Sequence, residues 1–249
     1  MYTLQQIVDA LSLTNPDFTL VFVAFCIANA IGLLEYIWAV RINFSEHKTP
    51  FPAWMHTFFF AHDFTAAIVL FACAFETNFF WLFPVYGGGM VIWTVLEFLN
   101  MRTIVLYERE ELLGMGTTAK QAIIYLLLQV LVMFAFVNVM RMMMNDVAMF
   151  SWLPLTNFVM AVGPGYVLYK RRDRAGSSVF VYIMIVLGTL FNFAPAGIGF
   201  FSTVIPQLYN QPMWFIAGAV CTLISVINLA RILKMPPKPV LPNGKKAIW

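Results

Sequence analysis

Long apolar runs separated by short polar stretches dominate the chain, and seven of them reach the roughly 30 Å needed to cross hydrocarbon. They lie near 19–41, 54–75, 79–101, 119–140, 149–170, 177–204 and 212–234. The pattern predicts an all-α, polytopic membrane protein: one seven-helix membrane domain over 1–249. Segment 1–18 carries Leu4, Ile7, Val8 and Leu11 at helical spacing and is closed by Asn15-Pro16. It predicts a short interfacial helix. Asp9 and Asp17 and the lack of a basic start argue against reading it as a cleaved signal.

Composition agrees with this pattern. The 249 residues are 61% hydrophobic and 11% charged, where soluble domains average about 25% charged. Charge placement adds a direction. Arg41 and Lys48 follow the first run, and Arg102, Arg109 and Lys120 lie between the third and fourth. Lys170, Arg171, Arg172 and Arg174 follow the fifth. Arg231, Lys234, Lys238, Lys245 and Lys246 close the seventh. Only Arg141 falls on the opposite side, so the positive-inside rule predicts an outside N-terminus and a cytoplasmic C-terminus. The basic balance therefore points to a membrane surface, not to nucleic acid. Cys26, Cys73 and Cys221 all lie in apolar runs and read as small buried side chains.

The first and last three runs share landmarks. Tyr36 and Arg41 are spaced like Tyr166 and Arg171, and Thr49 and Asp63 like Ser178 and Asn192. Asp63 to Asn100 nearly matches Asn192 to Asn228. These spacings predict a 3+1+3 parallel repeat: 19–107, a linker helix at 119–140, then 149–234, with a tail at 235–249. Ligand sites in such proteins lie between the halves near mid-depth.

Three acids fall inside spans: Glu35, Asp63 and Glu97. An ionised acid near the bilayer centre costs about 2.5–3.5 kcal/mol. Apolar surroundings therefore favour the neutral carboxyl, which can donate a proton. His56, Phe59, Phe60 and Asp63 share one helical face in the run MHTFFFAHDF. Tyr86, Gly89, Met90, Trp93, Glu97 and Asn100 share another, and Asn29, Gly32 and Tyr36 a third, with Glu35 beside it. These faces are expected to converge on one aromatic cavity. Plainer roles compete: Glu35 or Glu97 paired with Arg102 or Arg231, and the intramembrane asparagines as interhelical hydrogen-bonding groups. His62 is rotated about 100° from Asp63 and is not expected on its face. The i, i+4 histidine pair of helical zinc sites is absent, so no metal is expected and no cofactor is required. No Lys lies mid-run in 212–234, which excludes a retinal Schiff base there.

Two resemblances follow from these residues. The 3+1+3 plan and the tract GPGYVLYKRRDRAGSS (163–178) are similar to the SWEET and PQ-loop transporters. That likeness implies a substrate-contacting pair, Asn100 and Asn228, with Pro164 and Pro195 as hinges within helices. The tract EYIWAVRINFSEHKTPFPAWMHTFFFAHDF (35–64) resembles the small seven-helix membrane terpene cyclases of fungal meroterpenoid and indole-diterpene pathways. RDRAGSSVFVYIMIVLGT (172–189) extends the likeness. In that family a Trp-Glu pair ends the aromatic run of helix 2, and here His62-Asp63 stands in that place. The second acid of helix 7 is missing, leaving Glu97 or Glu35 to substitute.

The leading expectation is a metal-independent cyclase acting on a lipophilic, isoprenoid-like substrate drawn from the bilayer. Asp63 would be the acid, with Glu97, Glu35, His62 and His56 as further catalytic candidates. Tyr36, Phe59, Phe60 and Trp93, with Asn29, Asn100, Asn192 and Asn228, would line the substrate site. The alternative is a transporter of a small solute.

Overall fold

The computed structural model describes residues 2–238, which are helical with no strand among them. Lys245, Lys246 and all but the start of the expected tail 235–249 lie outside the described residues. α1 spans Leu4–Ala10, α2 Phe18–Glu46, α3 Ala53–Glu76 and α4 Leu82–Thr103. A π-helical turn, Ile104–Glu108, joins α4 to α5 (Arg109–Leu113). α6 spans Ala119–Met143, α7 Trp152–Lys170 and α8 Val179–Asn192. The short helices α9 (Phe200–Val204) and α10 (Pro206–Tyr209) precede α11, Pro212–Lys234.

Among the described residues, five helical stretches are long and apolar enough to cross a membrane: α2, α3, Leu82–Leu113, α6 and α11. The 29 residues of α2 extend about 43 Å at 1.5 Å per residue. α6 shows what surrounds such helices. It buries Ala122, Leu126, Val130 and Val137 but exposes Leu127, Leu131 and Val132. A helix apolar all round is at home only where its outer face meets protein or lipid.

α3 is the central element, packed against both α4 and α6. Its buried Ala61, Ala66, Ala67 and Ala74 keep the helix narrow, so neighbouring backbones come close. Gly87 of the YGGGM stretch serves the same contact, because a Cβ there would sit 3.3 Å from the Phe71 ring. On the other side α11 packs on α7 and α8, and α8 in turn on α2.

The structure departs from the sequence expectations at four places. The third run does not end near 101 but stays helical through Leu113, its Glu- and Leu-rich sequence being a good helix former. The π turn adds a residue to the α4 spiral and brings Glu108 inward, where it is fully buried. The run 177–204 is not one helix. α8 stops at Asn192, and Pro195, without an N–H, lies in the connection to α9 instead of inside a helix. α1 ends at Ala10 and is tucked against the protein: Ile7 and Leu11 are fully buried, and Gln6 Nε2 donates to the Val204 carbonyl. Cys26 is exposed, on the outer face of α2, while Cys73 and Cys221 are buried.

Asp146, in the α6–α7 connection, fastens the N-terminal segment. It accepts the Tyr2 hydroxyl and the Ser151 and Trp152 amides at 3.0 and 2.9 Å. Burial raises its pKa above the ordinary carboxylate range, against the lowering by those donors. The folded state thus holds a proton that the unfolded chain releases. Stability from this site is full at acidic pH and falls as pH rises through the raised value. Asp146→Asn is expected to flatten that slope in pH-dependent unfolding measured in detergent. A second prediction concerns the α8–α11 contact, where a Cβ on Gly218 would lie 2.3 Å from Phe193 Cβ. Gly218→Ala should destabilise the fold by about 1–3 kcal/mol, the usual cost of overpacking, read from unfolding in mixed micelles.

Candidate functional site

α2, α3, α4, α7 and α8 line a partly open cavity of about 200 Å³, to which α9 adds Phe201. Helical periodicity explains which side chains enter it. On α3, Phe59, His62 and Asp63 form one strip at i, i+3 and i+4. α2 contributes Asn29, Gly32, Glu35 and Tyr36 at the same kind of spacing, and α4 contributes Tyr86, Met90 and Trp93. α7 and α8 supply Thr156, Asn157, Phe191 and Asn192. α8 ends at Asn192 beside the cavity, and the amides of Phe193 and Ala194 turn back to the Thr189 and Phe191 carbonyls.

Two carboxyl groups reach the cavity. Asp63 Oδ1 lies 2.8 Å from His62 Nδ1, and His62 Nε2 has no partner. His62 therefore lines the same cavity as Asp63, contrary to the angular expectation, because adjacent side chains can bend toward each other. Phe58 stacks on its ring and Trp152 meets it edge-on. Glu35 also faces the cavity, and its Oε1 is buried without a partner.

Glu97 has a different setting. It is fully buried outside the cavity wall and accepts from three directions: the Tyr36 hydroxyl at Oε1, and His56 Nδ1 (2.5 Å) and Asn100 Nδ2 (3.3 Å) at Oε2. Thr49 Oγ1 lies 2.7 Å from His56 Nε2 and accepts from the Phe51 amide. That leaves the Thr49 proton for His56, which fits a neutral ring accepting at Nε2 and donating from Nδ1 to Glu97. Asn43 Nδ2 bonds Asn100 Oδ1 and completes the network.

Above it lies a charged layer. Thr49 N donates to Glu108 Oε2 at 2.7 Å. The Arg171 guanidinium is shared among Glu108 (2.6 Å), Glu111 (2.7 Å) and the Thr49 carbonyl (2.9 Å). Lys48 also reaches Glu111 at 2.7 Å. The hydrogen-bonded chain thus runs from this charged layer through Thr49, His56 and Glu97 to Tyr36 at the cavity.

The structure brings Asp63, His62, Glu35, Asn29, Tyr36, Phe59, Trp93 and Asn192 to one cavity. Phe60 is not among them. It points toward α6, edge-on to Phe134, because it is one residue round the helix from Phe59. His56, Glu97 and Asn100 form the adjoining network. Asn228 lies elsewhere, donating to the Ala161 carbonyl on α7. Neither Glu35 nor Glu97 pairs with Arg102 or Arg231; Glu97 has His56 instead. Sequence reasoning passed over Asn157, although an Asn inside an apolar run is the same signal that singled out Asn192. It also passed over Arg171 as an interior group, since a residue in a basic tract reads as surface charge. Among the described residues, no three His, Cys, Asp or Glu come together as metal ligands. No family model, curated protein or solved structure matches the chain.

Arg171→Met would leave Glu108 buried without its cation. Breaking such a pair costs about 3–5 kcal/mol. The variant is expected to lose most of its folded yield in detergent, and Arg171→Met/Glu108→Leu to regain part of it.

Proposed function

We propose that the protein is an integral membrane terpene cyclase that protonates an isoprenoid-like substrate, epoxidised or olefinic, and closes rings without a metal. The reading rests chiefly on the contrast between the carboxyls. Glu97 accepts from three donors and lies off the cavity wall, which suits a fixed, structural role. Asp63 has one side-chain partner and faces an aromatic cavity, which suits a group that gives up and regains a proton.

In this mechanism the Asp63 proton passes to an epoxide oxygen or alkene carbon. The epoxide C–O bond opens, or the π bond is consumed, and a carbocation forms. A neighbouring alkene supplies its electron pair to make the new C–C bond. The last cation loses a proton from carbon, which returns to the Asp63 carboxylate, so the overall change is an isomerisation. His62 orients Asp63 through its Nδ1 contact. Trp93, Tyr86, Phe59 and Phe191 present π faces or edges to the cation; a well-placed face contributes up to about 2 kcal/mol when desolvated. Glu35 is the second carboxyl of the cavity and takes the place assigned in the resemblance to a second acid. Asn29, Asn157 and Asn192 supply the few polar contacts that fix substrate orientation.

The membrane arrangement we propose has seven spans. Five are the long apolar helices, and α7 and the broken α8–α9 segment are the other two, with the basic ends facing the cytoplasm. The halves α2–α4 and α7–α11 form a parallel repeat joined by α6. Two observations favour it. The repeat-related Asp63 and Asn192 line one cavity. In each half, the Asn near the end of the third helix bonds the first: Asn100 to Asn43, and Asn228 to the Ala161 carbonyl.

The test is product formation by membranes carrying the protein, supplied with prenylated and epoxy-prenylated aromatic compounds and followed by mass spectrometry. Asp63→Asn is expected to lower turnover by about 100-fold or more, in the range for loss of a general acid, with folded protein undiminished. Near-normal product from that variant would remove Asp63 as the acid.

A further inference from the structure

At the end of the bundle away from α1, the C-terminal turns of α7 and α11 border an open pocket of about 800 Å³. Lys170, Arg171, Arg172, Arg231 and Lys234 line it, and no carboxylate does among the described residues. We propose that this pocket binds a phosphate group, carried by the headgroup of an anionic lipid.

Four observations support the assignment. First, two of these cations have no partner among the described residues, where the neighbouring arginines do; Lys170 instead lies over the Tyr166 ring, 4.8 Å from its centroid. Arg171 is shared among three oxygens, and Arg174 donates to the Leu233 carbonyl. Arg172 and Lys234 make no hydrogen bond or ion pair with a described residue. Second, Arg231 is held in place without an acceptor. Its guanidinium carbon lies 3.8 Å from the Tyr169 ring centroid, and its Nε is buried and lacks a partner. Third, helix dipoles explain only part of the cluster. Lys170, Arg231 and Lys234 lie in last turns, where a cation is favoured, but Arg172 is beyond α7. Fourth, the pocket has an apolar wall in Ile227 and Tyr169, both exposed along the outer surface of their helices. That wall offers an acyl chain a path from the headgroup into the bilayer. A free phosphate would use the cations alone. Basic pockets between helices at the membrane surface suit such headgroups, with electrostatic attraction that adds up over each Lys or Arg.

The test uses the full chain in detergent, titrated with phosphatidylinositol 4-phosphate and followed by native mass spectrometry. Phosphatidylcholine and inorganic phosphate are the comparison ligands. Arg172→Gln/Lys234→Gln removes two exposed side chains without internal partners, so the fold should persist, as an unchanged unfolding midpoint would verify. Its apparent affinity for the lipid should fall about tenfold or more. Arg102→Gln/Lys120→Gln removes two charges of the same sign from other exposed positions and should change it less than twofold. Arg231→Gln should weaken binding as well. Equal losses in the two double variants would mean general surface potential and overturn the pocket, as would binding unchanged in Arg172→Gln/Lys234→Gln. Displacement of the lipid by equimolar inorganic phosphate would overturn the lipid as source and keep the phosphate site. The readout is independent of turnover, so it stands or falls apart from the cyclase reading.

Discussion

The guanidinium of Arg171 is the interaction on which most of the polar interior depends. It sits at the end of α7, only 8% exposed, and joins two glutamates of the α4 extension to the backbone of the α2–α3 connection. An acid such as Glu108 is tolerable in that position only with a cation and further donors around it. With Glu108 fixed, the Thr49 amide is fixed, and its hydroxyl can reach His56. From there the order passes to Glu97 and Tyr36. A largely buried ion cluster thereby sets the geometry of side chains many residues away in sequence, on helices that otherwise meet through apolar contacts.

The polar groups divide into two kinds by how fully they are satisfied. Those around Glu97 form a connected set of hydrogen bonds that holds α2, α3 and α4 in register, although Asn43 Oδ1 is left without a partner. Those facing the cavity are under-bonded: Glu35 and His62 each keep a buried atom with no partner. A buried polar atom without a partner costs free energy, of the order of 1–3 kcal/mol for a neutral group. Its persistence beside an aromatic cavity is what a binding or reacting molecule would relieve. The same distinction separates Arg171 from the basic residues at the α7 and α11 ends: one is consumed by the fold and the others are left for something else.

The aromatic content has a similar division. Phe25, Tyr86, Phe150, Phe200 and Trp81 form a continuous edge-and-tilt cluster between α2, α4 and the loops below the cavity. Tyr2 joins it from the N-terminal segment. Tyr86 carries this cluster to the cavity wall, and Ile7 and Leu11 of the N-terminal segment pack into the same core.

Periodicity and composition alone determined the all-helical character, the presence of helices long and apolar enough to cross a membrane, the approximate extent of α2, α3, α6 and α11, and the convergence of Asp63, Tyr36 and Trp93 toward one interior. These features are local: an apolar run of given length makes a helix in lipid, and 100° per residue sets its faces. Tertiary structure alone decided the rest. It placed Glu97 with His56 instead of an arginine, turned His62 into the cavity and Phe60 away from it, broke the sixth run at Asn192, and buried Arg171. Each of these depends on which polar group arrives opposite another from a distant part of the chain. In a low-dielectric interior that meeting outweighs local preference, and no spacing along the sequence encodes it.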